Sequence, residues 1–127
     1  MTKKELYQIY YINKEIEMWQ RELEEIYNLQ SPKVDGLPHS KKVRDITGEK
    51  AIKAAQIQAI IEGLLVELQV KRKEIYEFIS TLDDSLMRQI IVHRCLSLCT
   101  WEEVTAYIGG NNTAESVRKM FDRYFEK

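Results

Sequence analysis

Apolar residues recur at helical spacing along the first quarter of the chain. They fall alternately three and four positions apart, at Ile9, Ile12, Ile16, Trp19, Leu23 and Ile26. This alternation is the a/d seam of a heptad repeat, with polar residues on the other faces. Glu17 and Arg21 add an i,i+4 ion pair. The pattern predicts one long helix from about Lys3 to Leu29.

The next segment, 31–48, interrupts the periodicity. It contains both prolines of the chain, Pro32 and Pro38, together with Gly36. Proline removes a backbone donor and restricts the residue before it to extended conformations. We therefore predict a connector over 31–48. Because it is long for a helix–helix connection, we expect part of it to pack back onto the helices.

A second heptad-like seam predicts another long helix from about Gly48 to Ile79. Its positions are again alternately four and three apart: Ile57, Ile61, Leu64, Leu68, Lys71, Ile75 and Phe78. The aliphatic stem of Lys71 can lie along the apolar stripe. Two long helices joined by a returning connector predict a coiled-coil-like antiparallel hairpin over residues 1–80.

Several large side chains lie outside both seams and need another apolar surface. They are Tyr10, Tyr11, Tyr27 and Leu65. A second copy of the chain would bury them in a four-helix bundle, so we expect a homodimer formed through the hairpin. The alternative is a hairpin that closes on the C-terminal part of its own chain.

The last third of the chain, 81–127, has shorter helices with clear punctuation. Three capping signals mark helix starts: Thr81 with Asp84, Thr100 with Glu103, and Asn112 with Glu115. Gly109 and Gly110 end the middle helix. The predicted inner faces are Leu86, Ile90 and Ile91, then Trp101, Val104, Tyr107 and Ile108, then Val117, Met120, Phe121 and Tyr124. The fold class predicted is all-α, with the long antiparallel hairpin followed by a three-helix helix-turn-helix head.

In a helix-turn-helix, the first helix braces the second, and the outer face of the second helix enters the major groove of double-stranded DNA. The predicted outer arc of the last helix is Glu115, Ser116, Arg118, Lys119, Asp122, Arg123 and Glu126. The candidate DNA-binding residues are Asn111, Asn112, Thr113, Ser116, Arg118, Lys119 and Arg123. The first four lie near the helix N-terminus, which favours a phosphate, and the basic ones would contact phosphates or base edges. The alternative is an ordinary charged surface around a core stripe.

Composition narrows the function classes. The net charge of −1 does not by itself indicate a nucleic-acid binder. Cys95, Cys99 and nearby His93 fall short of the ligand set of a metal site, so we expect reduced thiols and no metal or cofactor. The sequence lacks a glycine-rich phosphate loop and a nucleophile–base set, which predicts a non-enzymatic protein. It also lacks an apolar run of membrane length and a signal peptide, so we expect an intracellular protein.

The C-terminal third resembles the fourth region of bacterial sigma factors and their phage relatives in Ile79-Ser-Thr-Leu-Asp-Asp, Arg88, His93-Arg94, Thr100-Trp-Glu-Glu-Val and Gly109. A closer similarity is to small phage regulators of the RinA and ArpU type. It is carried by Ser-Pro-Lys-Val-Asp-Gly-Leu-Pro in the connector and Gly-Gly-Asn-Asn-Thr-Ala-Glu-Ser-Val-Arg-Lys near the end. The resemblance implies regulation of phage or prophage late or packaging genes through promoter DNA, host RNA polymerase or both, in the cytoplasm of a bacterial host cell.

One spacing departs from the simple helix-turn-helix pattern. The first core position after Gly109 is Val117 rather than Glu115, so the turn is about two residues longer than usual. The longer turn shifts the predicted recognition helix relative to its brace.

Two other functions stay open at this point. One is a protein-interaction module that docks on RNA polymerase or another phage protein without touching DNA. The other is a small terminase-like packaging component built on the hairpin. DNA affinity would favour the DNA-binding regulator. Co-purification with polymerase would favour the interaction module, and ring-sized oligomers would favour the packaging component.

Overall fold

The computed structural model describes residues 1–28 and 47–126, and within these ranges the chain is all-α. The elements in chain order are α1 (Lys3–Leu6), α2 (Gln8–Asn28), α3 (Gly48–Ser80), α4 (Ser85–Ile91), a π-helical turn (Val92–Leu96), α5 (Trp101–Ile108) and α6 (Ala114–Tyr124). The predicted connector 31–48 lies outside the described residues except for its last two positions, as does its expected packing onto the helices. None of the described helices has the length and apolar character needed to cross a membrane.

The first predicted helix is present as α1 and α2, separated by Tyr7. It begins with a capping box in which the Glu5 backbone N–H donates to the Thr2 hydroxyl at 3.1 Å and the Glu5 carboxylate accepts from the Thr2 N–H at 2.7 Å. The predicted seam is confirmed, since Ile9, Ile12, Ile16 and Ile26 are buried and Trp19 and Leu23 are half-buried. The predicted end at Leu29 lies beyond the described part of α2.

The second predicted helix is α3, and it starts at the predicted residue. Ile57 and Ile75 of its seam are buried, and the other seam residues, Lys71 included, are half-buried. The chain divides into two compact units that both include parts of α2 and α3. We call Ile12–Glu67 the central unit, and Met1–Tyr11 together with Leu68–Lys127 the terminal unit.

The central unit is the helix pair. Its core contains Ile26, Ala54 and Ile57, with Trp19, Leu23 and Ile61 packed against them. A shallow pocket is lined both by the last residues of α2 and by Lys50 and Lys53 at the start of α3. The end of one helix therefore lies beside the start of the other, and the two run antiparallel as the sequence predicted.

The terminal unit has the larger core. Its buried members are Leu6, Ile9, Ile75, Met87, Ile90, Ile91, Cys95, Leu96, Val104, Val117 and Phe121. The predicted division into a hairpin, 1–80, and a helix-turn-helix, 81–127, stays a prediction. In this structure the compact unit that contains α4, α5 and α6 also includes residues 1–11 and 68–80.

The predicted cap at the start of α4 is displaced in the structure. Asp84, rather than Thr81, is the N-cap of α4, and its carboxylate accepts from the backbone N–H groups of Leu86 and Met87. The Thr81 hydroxyl instead donates to the carbonyl of Phe78 at 2.7 Å, at the end of α3. The physical reason is that Asp84 stands directly before the first helical residue, where a short acidic side chain reaches the free N–H groups.

The segment between α4 and α5 leaves the α-helical path. The Ser97 N–H donates to the Val92 carbonyl at 3.0 Å, which closes a π-type turn, and Leu98 adopts a φ of 57°. Cys95 lies in the π turn and Cys99 follows Leu98, so the two cysteines do not share one continuous helix. Both are free thiols, and burial raises the pKa of Cys95 to about 12. Cys95 therefore belongs to the apolar core as a neutral thiol.

Candidate nucleic-acid interface

Helix α5 has the bounds and the cap that the sequence predicts. The Glu103 N–H donates to the Thr100 hydroxyl at 3.2 Å, and the Thr100 N–H donates to the Glu103 carboxylate at 2.8 Å. Gly109 ends the helix with φ 73° and ψ −159°, and Gly110 has φ 74°. Only glycine adopts such a backbone without strain. The glycine pair therefore sets where α5 stops and the turn to α6 begins.

The inner face of α5 differs from the prediction at one residue. Val104 is fully buried, and Trp101 and Ile108 are half-buried against the core. Tyr107 is 68% exposed and stacks on His93, with ring centroids 4.6 Å apart and planes 5° from parallel. The helical period places Tyr107 at the edge of the apolar stripe, where stacking on an aromatic neighbour replaces burial.

The start of α6 is one residue later than predicted. Thr113 is the N-cap and Ser116 completes the capping box, in which each backbone N–H donates to the other side chain, at 2.9 and 3.1 Å. The predicted pair of Asn112 and Glu115 is wrong because the Asn112 amide turns back and donates to the Gly109 carbonyl at 3.0 Å. Of the four polar candidates at this end, Asn112, Thr113 and Ser116 take part in the turn or the cap. Within the described chain, Asn111 is exposed and its side chain belongs to neither.

The buried side of α6 is confirmed. Val117 and Phe121 are fully buried, and Met120 and Tyr124 pack against the same core. The Phe121 ring lies 5.9 Å from Tyr7, 5.4 Å from Trp101 and 5.0 Å from Phe125, measured between centroids. These contacts join α6 to both α5 and the N-terminal residues, so the orientation of α6 is fixed from two sides.

The two basic residues in the middle of α6 already have acidic partners. The Arg118 Nη1 lies 2.9 Å from the Asp122 carboxylate, and the Lys119 Nζ lies 3.3 Å from the Glu115 carboxylate. Asp122 also accepts from Lys3 at 2.9 Å, and this hydrogen bond raises the pKa of Lys3. Arg118 and Asp122 are also half-buried. The exposed arc is therefore narrower than predicted.

Arg123 differs from these two. It is exposed near the end of α6, and none of the ion pairs found between described residues includes it. The remaining exposed arc is Glu115, Ser116, Lys119, Arg123 and Glu126. It carries two positive and two negative charges, so its charge is balanced along α6 as the sequence composition suggested.

Two contacts of this region have no signal in the sequence. Lys3 reaches Asp122 from the far end of the chain, and Arg94 places its guanidinium 4.4 Å from the Trp101 ring centroid. Spacing rules find only partners within about one turn, so neither contact was predicted. In the described ranges, no group of three His, Cys, Asp or Glu side chains is placed to hold a metal ion.

Comparisons with protein-family models, curated proteins and solved structures find no match to this chain.

Proposed function

We propose that the chain is a transcription regulator, related to the small phage regulators of the RinA and ArpU type, that binds double-stranded DNA through α5 and α6. It would act in the cytoplasm of a bacterial host. The observation that carries the proposal is the position of α6. Val117 and Phe121 on its apolar side are fully buried, while Ser116, Lys119 and Arg123 are exposed on the other side. A helix held in this way by a bracing helix can present its outer face to a major groove.

The same arrangement orders the seven candidate residues by their expected contribution. Arg123 is the first choice for a phosphate contact because it has no acidic partner among described residues. Lys119 comes next, since its exposed pair with Glu115 has to open or be shared. Asn111 and the N-terminal turn of α6 offer N–H groups to a phosphate. Arg118, held by Asp122, contributes least.

Duplex binding tests the proposal directly. Fluorescence anisotropy with the DNA upstream of the chain's own gene should give an affinity that falls with salt concentration. We expect Arg123→Ala to weaken binding by roughly three- to tenfold and to lower the slope of log K against log salt by about one. Arg21→Ala, which removes an exposed arginine from α2, is the matched control and should leave both quantities unchanged.

Neutralising an acidic residue on the same arc sharpens the test. Glu115→Gln removes an acid from the exposed arc and releases Lys119 from its ion pair. If α6 faces phosphates, this variant binds DNA more tightly than the wild type, because a repulsive carboxylate is lost. Equal affinities for the wild type, Arg123→Ala and Glu115→Gln would show that α6 does not contact DNA.

A second candidate function is docking on RNA polymerase or another phage protein without DNA contact. It is favoured by the internal pairing of Arg118 with Asp122 and of Lys119 with Glu115. A surface of balanced charge suits a protein partner better than a polyanion. This reading predicts no salt-dependent DNA affinity, together with co-purification of the host polymerase that is reduced by Arg123→Ala. Ring-sized oligomers in light scattering would instead favour the terminase-like packaging component.

A homodimer stays part of the proposal. The four side chains singled out in the sequence, Tyr10, Tyr11, Tyr27 and Leu65, are all exposed. In the central unit, α3 also exposes Ile52, Ile60 and Val66. Since α3 is apolar on more than one side, we propose that its outer side meets a second copy.

A further inference from the structure

Arg94 lies in an unusual setting within the terminal unit. Its guanidinium is flanked by the Trp101 ring at 4.4 Å and the Tyr7 ring at 5.7 Å, measured to the centroids. Its Nη1 donates to the Cys99 carbonyl at 2.9 Å. Its Nε is buried and has no hydrogen-bond partner among the described residues. The ion pairs between described residues do not include Arg94.

A half-buried cation without a counter-ion is costly, because burial removes water without supplying an opposite charge. Buried guanidinium groups normally pair with a carboxylate or phosphate, and an orphaned N–H in a native protein calls for an explanation. Cation–π contacts with the Trp101 and Tyr7 rings offset part of this cost. The rings supply no negative charge, so the guanidinium still lacks a counter-ion among the described residues.

This guanidinium borders a cavity of about 450 Å³, a volume within the range of small-molecule sites. The lining is three tyrosines, Tyr7, Tyr10 and Tyr11, with Arg94, Leu98, Cys99 and Thr100. All of these residues belong to the terminal unit, and none of them is acidic. The cavity therefore combines aromatic walls with one positive charge.

We propose that this cavity binds a small aromatic carboxylate. The carboxylate supplies the counter-ion that the half-buried guanidinium lacks among the described residues. The aromatic part of the ligand packs against the tyrosine rings, which favour offset or edge-to-face contacts. The inference concerns a ligand site beside the start of α5, and it does not depend on whether α6 contacts DNA.

Nitrogen-15 NMR of the wild-type protein tests the site without any substitution. The Arg94 Nε–H signal and the Trp101 indole signal should both shift on titration with benzoate, and saturation is expected on the order of 1 mM for a fragment of this size. The indole signal of Trp19, whose N–H donates to Glu15 in the central unit, is the internal control and should stay in place. Benzamide, which has the same shape without the charge, should cause no comparable shift.

Two variants assign the effect to the cavity. Arg94→Lys keeps the positive charge but replaces the planar guanidinium with a compact ammonium group. Benzoate should therefore bind at least about tenfold more weakly. Tyr11→Ala removes a wall residue that is 61% exposed, so the fold is retained and we expect binding about threefold weaker. Tyr76→Ala removes a tyrosine of similar exposure, 57%, from α3 away from the cavity, and should bind benzoate like the wild type.

Three results would overturn the proposal. The first is the absence of shifts at Arg94 and Trp101 up to roughly 20 mM benzoate, far above the expected saturation. The second is an equal response to benzamide, which would make the interaction purely apolar. The third is a response to inorganic phosphate with none to benzoate, which would place a tetrahedral anion rather than an aromatic carboxylate at Arg94.

Discussion

Phe121 holds α6 in place, and truncating it provides the most direct test of this architecture. The side chain is fully buried and contacts aromatic rings from α5, from the N-terminal residues and from Phe125. Removing a buried phenylalanine side chain costs about 3–5 kcal/mol, through lost apolar burial and the cavity that remains. We expect Phe121→Ala to fall in this range, because the neighbouring Tyr7 and Trp101 rings are tied to other elements and cannot collapse into the space.

The assay is equilibrium unfolding in urea, followed by Trp101 fluorescence in a Trp19→Phe background. Trp101 lies in the terminal unit, with its ring centroid 5.4 Å from that of Phe121, so its signal reports on the unit that the substitution affects. With a urea slope of about 1.5 kcal/mol per molar, a loss of about 4 kcal/mol lowers the midpoint by about 2.7 M. Tyr76→Ala is the control and should change stability by less than about 0.5 kcal/mol, as an exposed site does.

The refuting result is a midpoint for Phe121→Ala close to that of Tyr76→Ala. It would mean that Phe121 does not anchor α6 in solution. The outer face of α6 would then have no fixed orientation, and the argument for a positioned DNA-binding helix would lose its basis.

Four further outcomes follow from the caps, the turn, the core thiol and the exposed face of α3. Thr113→Ala should cost about 1 kcal/mol in urea unfolding through the lost N-cap, and a neutral result would contradict the capping geometry. Gly109→Ala should cost about 1–3 kcal/mol because of its positive φ, measured in the same way. For Cys95, the folded pKa of about 12 exceeds the ordinary value of 9.0, so stability is full below pH 9 and falls towards pH 12. The wild type should lose up to about 1.4 kcal/mol per pH unit there relative to Cys95→Ala, and parallel pH profiles would refute the assignment. Val66→Asp should convert a dimer to a monomer in light scattering; a monomeric wild type would reject the dimer.

The sequence predicted elements well where both ends of a helix carry a local signal. Helix α5 starts at the Thr100 cap and stops at Gly109, and its predicted bounds match the structure. The start of α6 was wrong by one residue because Asn112 and Thr113 both have capping side chains. The choice depends on the Asn112 amide, which bonds to the Gly109 carbonyl, and on a turn geometry that no spacing rule supplies.

Contacts between distant parts of the chain could not be predicted in this way. The ion pair of Lys3 with Asp122 joins residues 119 positions apart, and the stacking of Arg94 on Trp101 depends on the π turn and on the left-handed backbone of Leu98. Heptad and capping patterns report on neighbours within a few turns. They identified the buried face of α6, but not which part of its polar face other residues cover.

The pairing on α6 limits how DNA affinity can arise. Exposed i,i+4 ion pairs are worth about 0.3–0.5 kcal/mol, so a phosphate can draw Lys119 away from Glu115 at small cost. The acid stays beside the phosphate after the exchange, however, and its repulsion offsets part of the gain. Arg123 has no such acid bound to it among the described residues. Salt-dependent DNA affinity should therefore depend mainly on Arg123 and on the N–H groups at the start of α6. If DNA is the partner, Arg123→Ala weakens binding and Glu115→Gln strengthens it. These opposite responses are the sharpest distinction between a DNA partner and a protein partner.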